Sequence, residues 1–151
     1  MRLLVAIDGT DAGADALDYA LDMAVRLGAS LLLTYVVEPA AHVTGGDGSK
    51  PPHDGERDDG ARFVREAIED SRTTGDDLLH EAANRAAVVD VDADTHVATG
   101  DPVEVLPALA DETSVDAIVV GHRRAADREA VGDSVAKGLI ERSPVPVTVV
   151  T

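Results

Sequence analysis

The sequence contains no cysteine and no tryptophan, and aromatic residues make up only 2% of its 151 positions. The absence of cysteine excludes disulfides, thiolate metal sites and cysteine nucleophiles together. With one Phe and two Tyr, the chain has few rings on which bases can stack, which disfavours nucleic-acid binding. A hydrophobic core must therefore be built mainly from Val, Leu, Ile and Ala.

Basic residues are also scarce, with 13 against 29 acidic residues and a formal net charge of −16. This charge repels nucleic acid and anionic membrane surfaces. Asp outnumbers Glu by 20 to 9, Arg outnumbers Lys by 11 to 2, and the acidic residues are spread along the whole chain. Because salt screens such self-repulsion, the composition predicts a salt-rich cytoplasm and a halophilic, archaeal source.

The charge predicts a measurable salt dependence of folding. We expect the free energy of unfolding to rise as KCl is added, because a shorter Debye length weakens repulsion among the carboxylates. Urea unfolding at increasing KCl concentrations measures this directly. A stability maximum in dilute buffer would contradict the halophilic interpretation.

Long hydrophobic runs are absent as well. The apolar run at the N-terminus ends at Asp8, which is too early for a signal peptide, and no stretch is long enough to span a bilayer. The length suits one domain covering residues 1–151. We therefore expect a single cytoplasmic domain.

Strand and helix patterns alternate along this domain. Continuous apolar runs typical of buried strands cover residues 2–7, 30–37, 115–121 and 144–151, and a more polar alternating segment at 92–99 predicts a strand nearer a sheet edge. Apolar residues at helical spacing predict helices over 11–27, from about Asp101 and from Ser134, while Pro107 should bend or shorten the second of these.

Two segments leave the pattern less regular. Residues 39–60 are rich in turn formers and predict a long exposed, flexible loop. Helical spacing then resumes but is interrupted by "RTTG" at 72–75, which indicates either one kinked helix or two short ones. The resulting element order predicts an α/β fold, a single-domain doubly wound sandwich with a mostly parallel sheet and helices on both faces.

Ligands bind such sheets outside the carboxyl ends of the strands. At the first strand end, Asp8 can point into this crevice, although Asp8 and Thr10 can equally serve only as helix caps. After the fourth strand, "VVGHRRAADREAVGDSVAKG" (119–138) places a glycine, a loop and a helix-opening Ser134 together, which suits a phosphate. Its part from His122 to Lys137 carries a net charge of +1 within an acidic chain. A solvated loop with internal salt bridges is the alternative.

The segments "AIDGTDAGADALDYALDMAVRLGASLLLTYVVEP", "GDPVEVLPALADETSVDAIVVG" and "SVAKGLIERSPVPVTVV" together resemble the universal stress protein family. The resemblance implies a five-stranded parallel sheet of order 3-2-1-4-5, of the adenine nucleotide alpha hydrolase type. It also implies a stress-response protein, with some members binding ATP and others not. A homodimer is implied through antiparallel pairing of the last strand, Val145 to Val150.

The nucleotide-binding members carry G-x-x-G-x(9)-G-[S/T] after the fourth strand. Here Gly121 matches the first glycine and Ser134 the final hydroxyl residue. Arg124 occupies the place of the second glycine, Asp133 precedes Ser134 where the last glycine belongs, and the loop is one residue shorter. Side chains at these places hinder close backbone approach, and the Asp133 carboxylate opposes a triphosphate. The loop is thus degenerate, which predicts weak or no ATP binding.

The resemblance assigns candidate residues to two ends of a nucleotide, namely Asp8, Val36, Val120 and Gly121 to adenosine and Ser134, Val135 and Ala136 to phosphate. Arg124 either binds an anion through its guanidinium or pairs with Asp133 and fills the site. The favoured function is therefore regulation by binding, without a catalytic residue. An ATP-binding, possibly slowly hydrolysing switch that uses Mg²⁺ is the alternative.

Other chemistries have weaker support in the sequence. A serine hydrolase using Ser134 and His122 would need a G-x-S-x-G elbow, which is absent. His42 and His53 do not have a recognised metal-ligand spacing. A phosphoacceptor receiver domain has an Asp directly after its third strand and a Lys after its fifth, and this chain has neither.

Overall fold

A computed structural model of the chain describes residues 1–39, 57–122 and 134–151. Its strands are β1 (Arg2–Ala6), β2 (Ser30–Val37), β3 (Ala93–Thr99), β4 (Ala117–Gly121) and β5 (Val147–Val150). Its helices are α1 (Asp11–Leu27), α2 (Arg57–Val88), α3 (Pro102–Glu112) and α4 (Ser134–Arg142). The strands form one all-parallel sheet in the order β3-β2-β1-β4-β5. The predicted fold class and strand order are therefore confirmed.

The core consists of two apolar layers, one on each face of the sheet. Side chains alternate between faces along a strand, so in β1 Leu3 and Val5 pack with α1 and α2, whereas Leu4 packs with α3 and α4. Leu4 and Val5 are fully buried. Burial on both faces explains why the central strands are continuous apolar runs in the sequence.

Both ends of α1 are fixed by local hydrogen bonds. Thr10 is the N-cap, and its hydroxyl oxygen accepts a hydrogen bond from the backbone N–H of Gly13 at 3.1 Å. Gly28 follows the last turn with a φ of 66°, in the left-handed region, and its N–H donates to the carbonyl of Ala24. The predicted bounds of this helix are confirmed.

The second helix differs from the sequence prediction. It begins at Arg57, so residues 57–60, which were expected to end the long loop, are helical, and the helix runs unbroken through "RTTG" to Val88. Gly75 is buried there against the ring of Tyr35, so it interrupts the sequence pattern without interrupting the helix. Residues 40–56 of the predicted loop lie outside the described residues.

Helix α3 begins as predicted, with the carboxylate of Asp101 accepting a hydrogen bond from the N–H of Val103 and Pro102 in the first turn. It continues through Pro107 to Glu112, although Pro107 cannot donate the usual hydrogen bond to the carbonyl four residues earlier. The side chain of Pro107 is buried.

The two edge strands are β3 and β5. The edge position predicted for the polar third strand is confirmed, since β3 pairs only with β2. At the opposite edge, β5 pairs with β4 and its four residues are half-buried. The homodimer through Val145 to Val150 stays a prediction. None of the helices in the described ranges combines the length and the apolar composition that a bilayer crossing requires.

Candidate functional site

A cleft of about 400 Å³ opens at the carboxyl ends of β1, β2 and β4. Strand order reverses beside β1, because the chain adds β2 and β3 on one side of it and β4 and β5 on the other. Crevices at such reversals are the usual ligand sites of doubly wound sheets. The apolar lining is formed by Ala6, Ile7, Val36, Pro102, Leu106, Val120, Val135 and Ala136. The remaining lining residues are Asp8, Thr34, Tyr35, Glu38, Ser71, Gly121 and His122.

Most of the residues proposed from the sequence come together in this cleft. Asp8, Val36, Val120, Gly121, Val135 and Ala136 all line it, although they come from four different elements or loops. Ser134 is the first residue of α4, directly before the two lining residues of that helix. Arg124 and Asp133 lie outside the described residues. The binding roles of all these residues stay predictions.

Asp8 is held at the edge of the cleft by the start of α1. Its Oδ1 accepts hydrogen bonds from the N–H of Thr10 at 2.9 Å and from the hydroxyl of Thr10 at 2.6 Å. A Cβ at Gly13 would lie 2.2 Å from this oxygen, so the glycine leaves the room that the carboxylate occupies. Oδ2 makes no hydrogen bond to any residue in the described ranges. Asp8 thus supports the cap of α1 with one oxygen and leaves the other for a donor in the cleft.

Gly121 has a packing role that the sequence did not indicate. A Cβ at this position would lie 2.0 Å from the carbonyl oxygen of Ala12 and 2.3 Å from its carbon. The end of β4 therefore touches the backbone of the first turn of α1. The family resemblance assigned this glycine to the adenosine part of a nucleotide, and the structure adds a close approach to the backbone of α1.

The wall of the cleft on the α2 side was missed by sequence analysis. The ring of Tyr35 lies against Gly75, where a Cβ would be 2.3 Å from its Cδ1. The Tyr35 hydroxyl lies 3.4 Å from Oγ of Ser71, one helical turn before Gly75. A glycine inside an otherwise helical pattern was the available signal, since it often marks a close packing contact.

The charge of the described lining is negative. It contains the carboxylates of Asp8 and Glu38 and no Lys or Arg side chain among the residues that the structure describes. An apolar surface with hydroxyls and carboxylates at its rim suits a flat, uncharged group that carries hydrogen-bond donors. For a phosphate, the described lining offers no cationic side chain, but Val135 and Ala136 belong to the first turn of α4, where backbone N–H groups can bind an anion.

Metal binding finds no support in the described part of the chain, where no group of three or more His, Asp or Glu side chains converges. His42 and His53, considered as metal ligands from the sequence, lie outside it.

The sheet order and the cleft beside β1 define a doubly wound α/β protein with a cleft at the strand reversal, where proteins of this architecture usually bind ligands. Comparison with known proteins identifies the family, since the model of the universal stress protein family matches residues 1–151. Universal stress protein YxiE of Bacillus subtilis is 32% identical over 153 residues, covering 99% of this chain and 97% of that protein. The chain therefore belongs to the universal stress protein family.

Solved structures share the fold over the whole chain. Universal stress protein UspA from Lactobacillus plantarum superposes with a TM-score of 0.78 at 21% identity, covering 100% of this chain and 97% of that one. A universal stress protein in complex with cAMP gives a TM-score of 0.63 at 25% identity, covering 99% and 95%.

Proposed function

We propose that this protein is a cytoplasmic stress-response regulator that binds an adenine nucleotide through its nucleoside part, and that it acts through binding rather than catalysis. The observation that carries this proposal is the composition of the cleft, which combines an apolar floor with a carboxylate edge. The cAMP complex of a family member supports the same class of ligand.

The two parts of a nucleoside match the two parts of the lining. A purine base is flat and mostly apolar at its faces, which suits the side chains of Val36, Leu106 and Val120. Ribose hydroxyls are donors, and Oδ2 of Asp8, which has no partner among the described residues, is an acceptor held in place through Oδ1. Together these contacts orient a nucleoside with its 5′ side toward the start of α4.

The phosphate part has less support among the described residues. The Asp8 carboxylate opposes additional negative charge, and Arg124, the cation proposed to contact the phosphate, lies outside the described residues. We therefore propose that the protein binds AMP or cAMP at least as tightly as ATP. The alternative, an ATP-dependent switch that uses Mg²⁺, requires that Arg124 and its neighbours outweigh this repulsion.

Titration calorimetry at high KCl concentration tests the proposal with four ligands: AMP, cAMP, ADP, and ATP with Mg²⁺. We expect saturable binding of AMP and cAMP, with no gain in affinity along the series from AMP to ATP. Affinity for ATP with Mg²⁺ that exceeds the AMP affinity tenfold or more would instead support the ATP switch. Absence of binding for all four ligands would refute nucleotide binding by the protein.

Asp8→Asn tests the carboxylate edge separately. Asparagine keeps an acceptor oxygen for Thr10, so the cap of α1 and the melting temperature should change little. Loss of a charge-assisted hydrogen bond to the ribose should weaken AMP binding by about 10- to 100-fold. Unchanged affinity would mean that Asp8 serves only the helix cap. Asp15→Asn, on the exposed side of α1, is a matched control for the change in net charge.

A further inference from the structure

Thr34 of β2 is buried with its hydroxyl group unpaired. Its side chain is only 1% exposed, and its Oγ1 has no hydrogen-bond partner in the described part of the chain. Nearly all buried polar groups in proteins have a hydrogen-bond partner. A buried hydroxyl without one has lost its hydrogen bonds to water and gained none in exchange, which destabilises the fold. The folded chain therefore gains no stability from this hydroxyl.

The surroundings of Thr34 would accept an aliphatic side chain equally well. Leu32 and Val36 precede and follow it on the same face of β2, and Ala6 of β1 lies in register with it. On its other side, His96 of β3 is in register, but its side chain is exposed and does not hydrogen-bond to Thr34. Valine has nearly the same shape as threonine, so packing alone does not explain the hydroxyl.

Thr34 belongs to the lining of the cleft, together with Ala6, Leu106 and Val120. Because Oγ1 is almost inaccessible in the cleft, a polar atom of a ligand pairs with it only after a small shift of Thr34 or of the apolar side chains around it. The apolar neighbours favour the base over the ribose or the phosphate, since the carboxylate of Asp8 marks the edge where donors of the sugar fit.

We propose that Thr34 is a specificity-determining residue whose hydroxyl forms a hydrogen bond with the polar edge of a purine base. A hydroxyl both donates and accepts, so a ring nitrogen or an exocyclic amine of the base satisfies it. The inference rests on the proposed nucleotide binding and adds the group that selects the base. Sites that hydrogen-bond a ligand reject analogues without the matching group, which gives this hydroxyl a use in recognition.

Thr34→Val separates this role from a purely structural one, because the melting temperature should rise while the affinity for AMP falls. In the absence of ligand, the variant should melt about 2–6 °C higher, since an unsatisfied buried hydroxyl is removed. Its affinity for AMP, measured by calorimetry, should fall about tenfold, since the base loses its partner. Thr34→Ser retains the hydroxyl and should bind AMP more tightly than Thr34→Val.

Thr95→Val, at an exposed position of β3, is the matched control, and its AMP affinity should equal that of the unchanged protein. Unchanged AMP affinity in Thr34→Val, with binding intact in the original chain, would overturn the role of Thr34 and leave the proposed function standing. If the original chain binds neither AMP nor cAMP, both proposals fail. A lower melting temperature together with lower affinity would also overturn the inference, because it would indicate damage to the fold.

Discussion

Replacing Gly121 with alanine should lower the free energy of unfolding by about 3 kcal/mol and abolish the proposed nucleotide binding. The added Cβ would lie 2.0 Å from the carbonyl oxygen of Ala12, and this atom belongs to the backbone of α1. A flexible side chain can rotate away from such a contact, whereas a helix backbone moves only as a unit. The variant must separate β4 from the start of α1, which displaces Asp8 and Val120 as well.

Chemical unfolding in urea at fixed KCl concentration measures the effect, with Gly28→Ala as control. Gly28 has a φ of 66°, but a Cβ there meets nothing within 4 Å. Its replacement should therefore cost only the strain of a left-handed backbone, about 1–2 kcal/mol. Gly138→Ala should cost less than Gly121→Ala, since its Cβ would meet the side chain of Val103. Equal losses for the three variants would contradict a backbone clash at Gly121.

Gly75→Ala should destabilise the protein even though it replaces a glycine inside a helix. Such a change ordinarily stabilises a helix by about 1 kcal/mol. Here the new Cβ would lie 2.3 Å from Cδ1 and 2.8 Å from Cε1 of the Tyr35 ring, which lines the cleft. We expect a net loss of about 1–3 kcal/mol, because the ring or the helix must shift. The experiment tests whether Gly75→Ala lowers or raises the free energy of unfolding.

A double-mutant cycle with Tyr35→Ala identifies the cause. Without the ring, Gly75→Ala should become neutral or stabilising, because only the helix propensity remains. If Gly75→Ala destabilises the Tyr35→Ala background as much as the original chain, the ring is not responsible. Gly75→Ala should also weaken AMP binding, since a displaced Tyr35 changes the wall shared with Ser71.

The sequence predicts the fold well because the relevant signals are local and strong. The run 30–37 and the helix 11–27 match β2 and α1 residue for residue, since one is bounded by a turn and the other by Thr10 and Gly28. At Gly75 the sequence left one helix and two helices open, because local propensity favours a break there, and the structure has one helix in which Gly75 packs against Tyr35. The start of α2 was missed, because residues 57–60 have no apolar periodicity.

The candidate site was predictable only in part. Strand ends identify Asp8, Val36 and Val120 as neighbours, because parallel strands bring their carboxyl ends to one edge of the sheet. The contribution of Ser71 depends on how α2 packs against β2, which no local pattern encodes. The hydroxyl of Thr34, which has no partner among the described residues, is likewise recognised only from its burial and its neighbours in the fold. Threonine is common in strands, so the sequence alone does not mark it as a site residue.

The contact between Gly121 and Ala12 has a consequence for how function is inferred across related chains. A glycine at this place stabilises the fold whether or not a ligand is ever bound, because a Cβ would meet the backbone of Ala12. A descendant that lost nucleotide binding would still retain the glycine, so its presence does not distinguish a binding protein from a non-binding one. Thr34 has the opposite character, because packing does not need its hydroxyl. A polar group in a cleft that does not contribute to folding is therefore better evidence for a ligand than a glycine that packing needs.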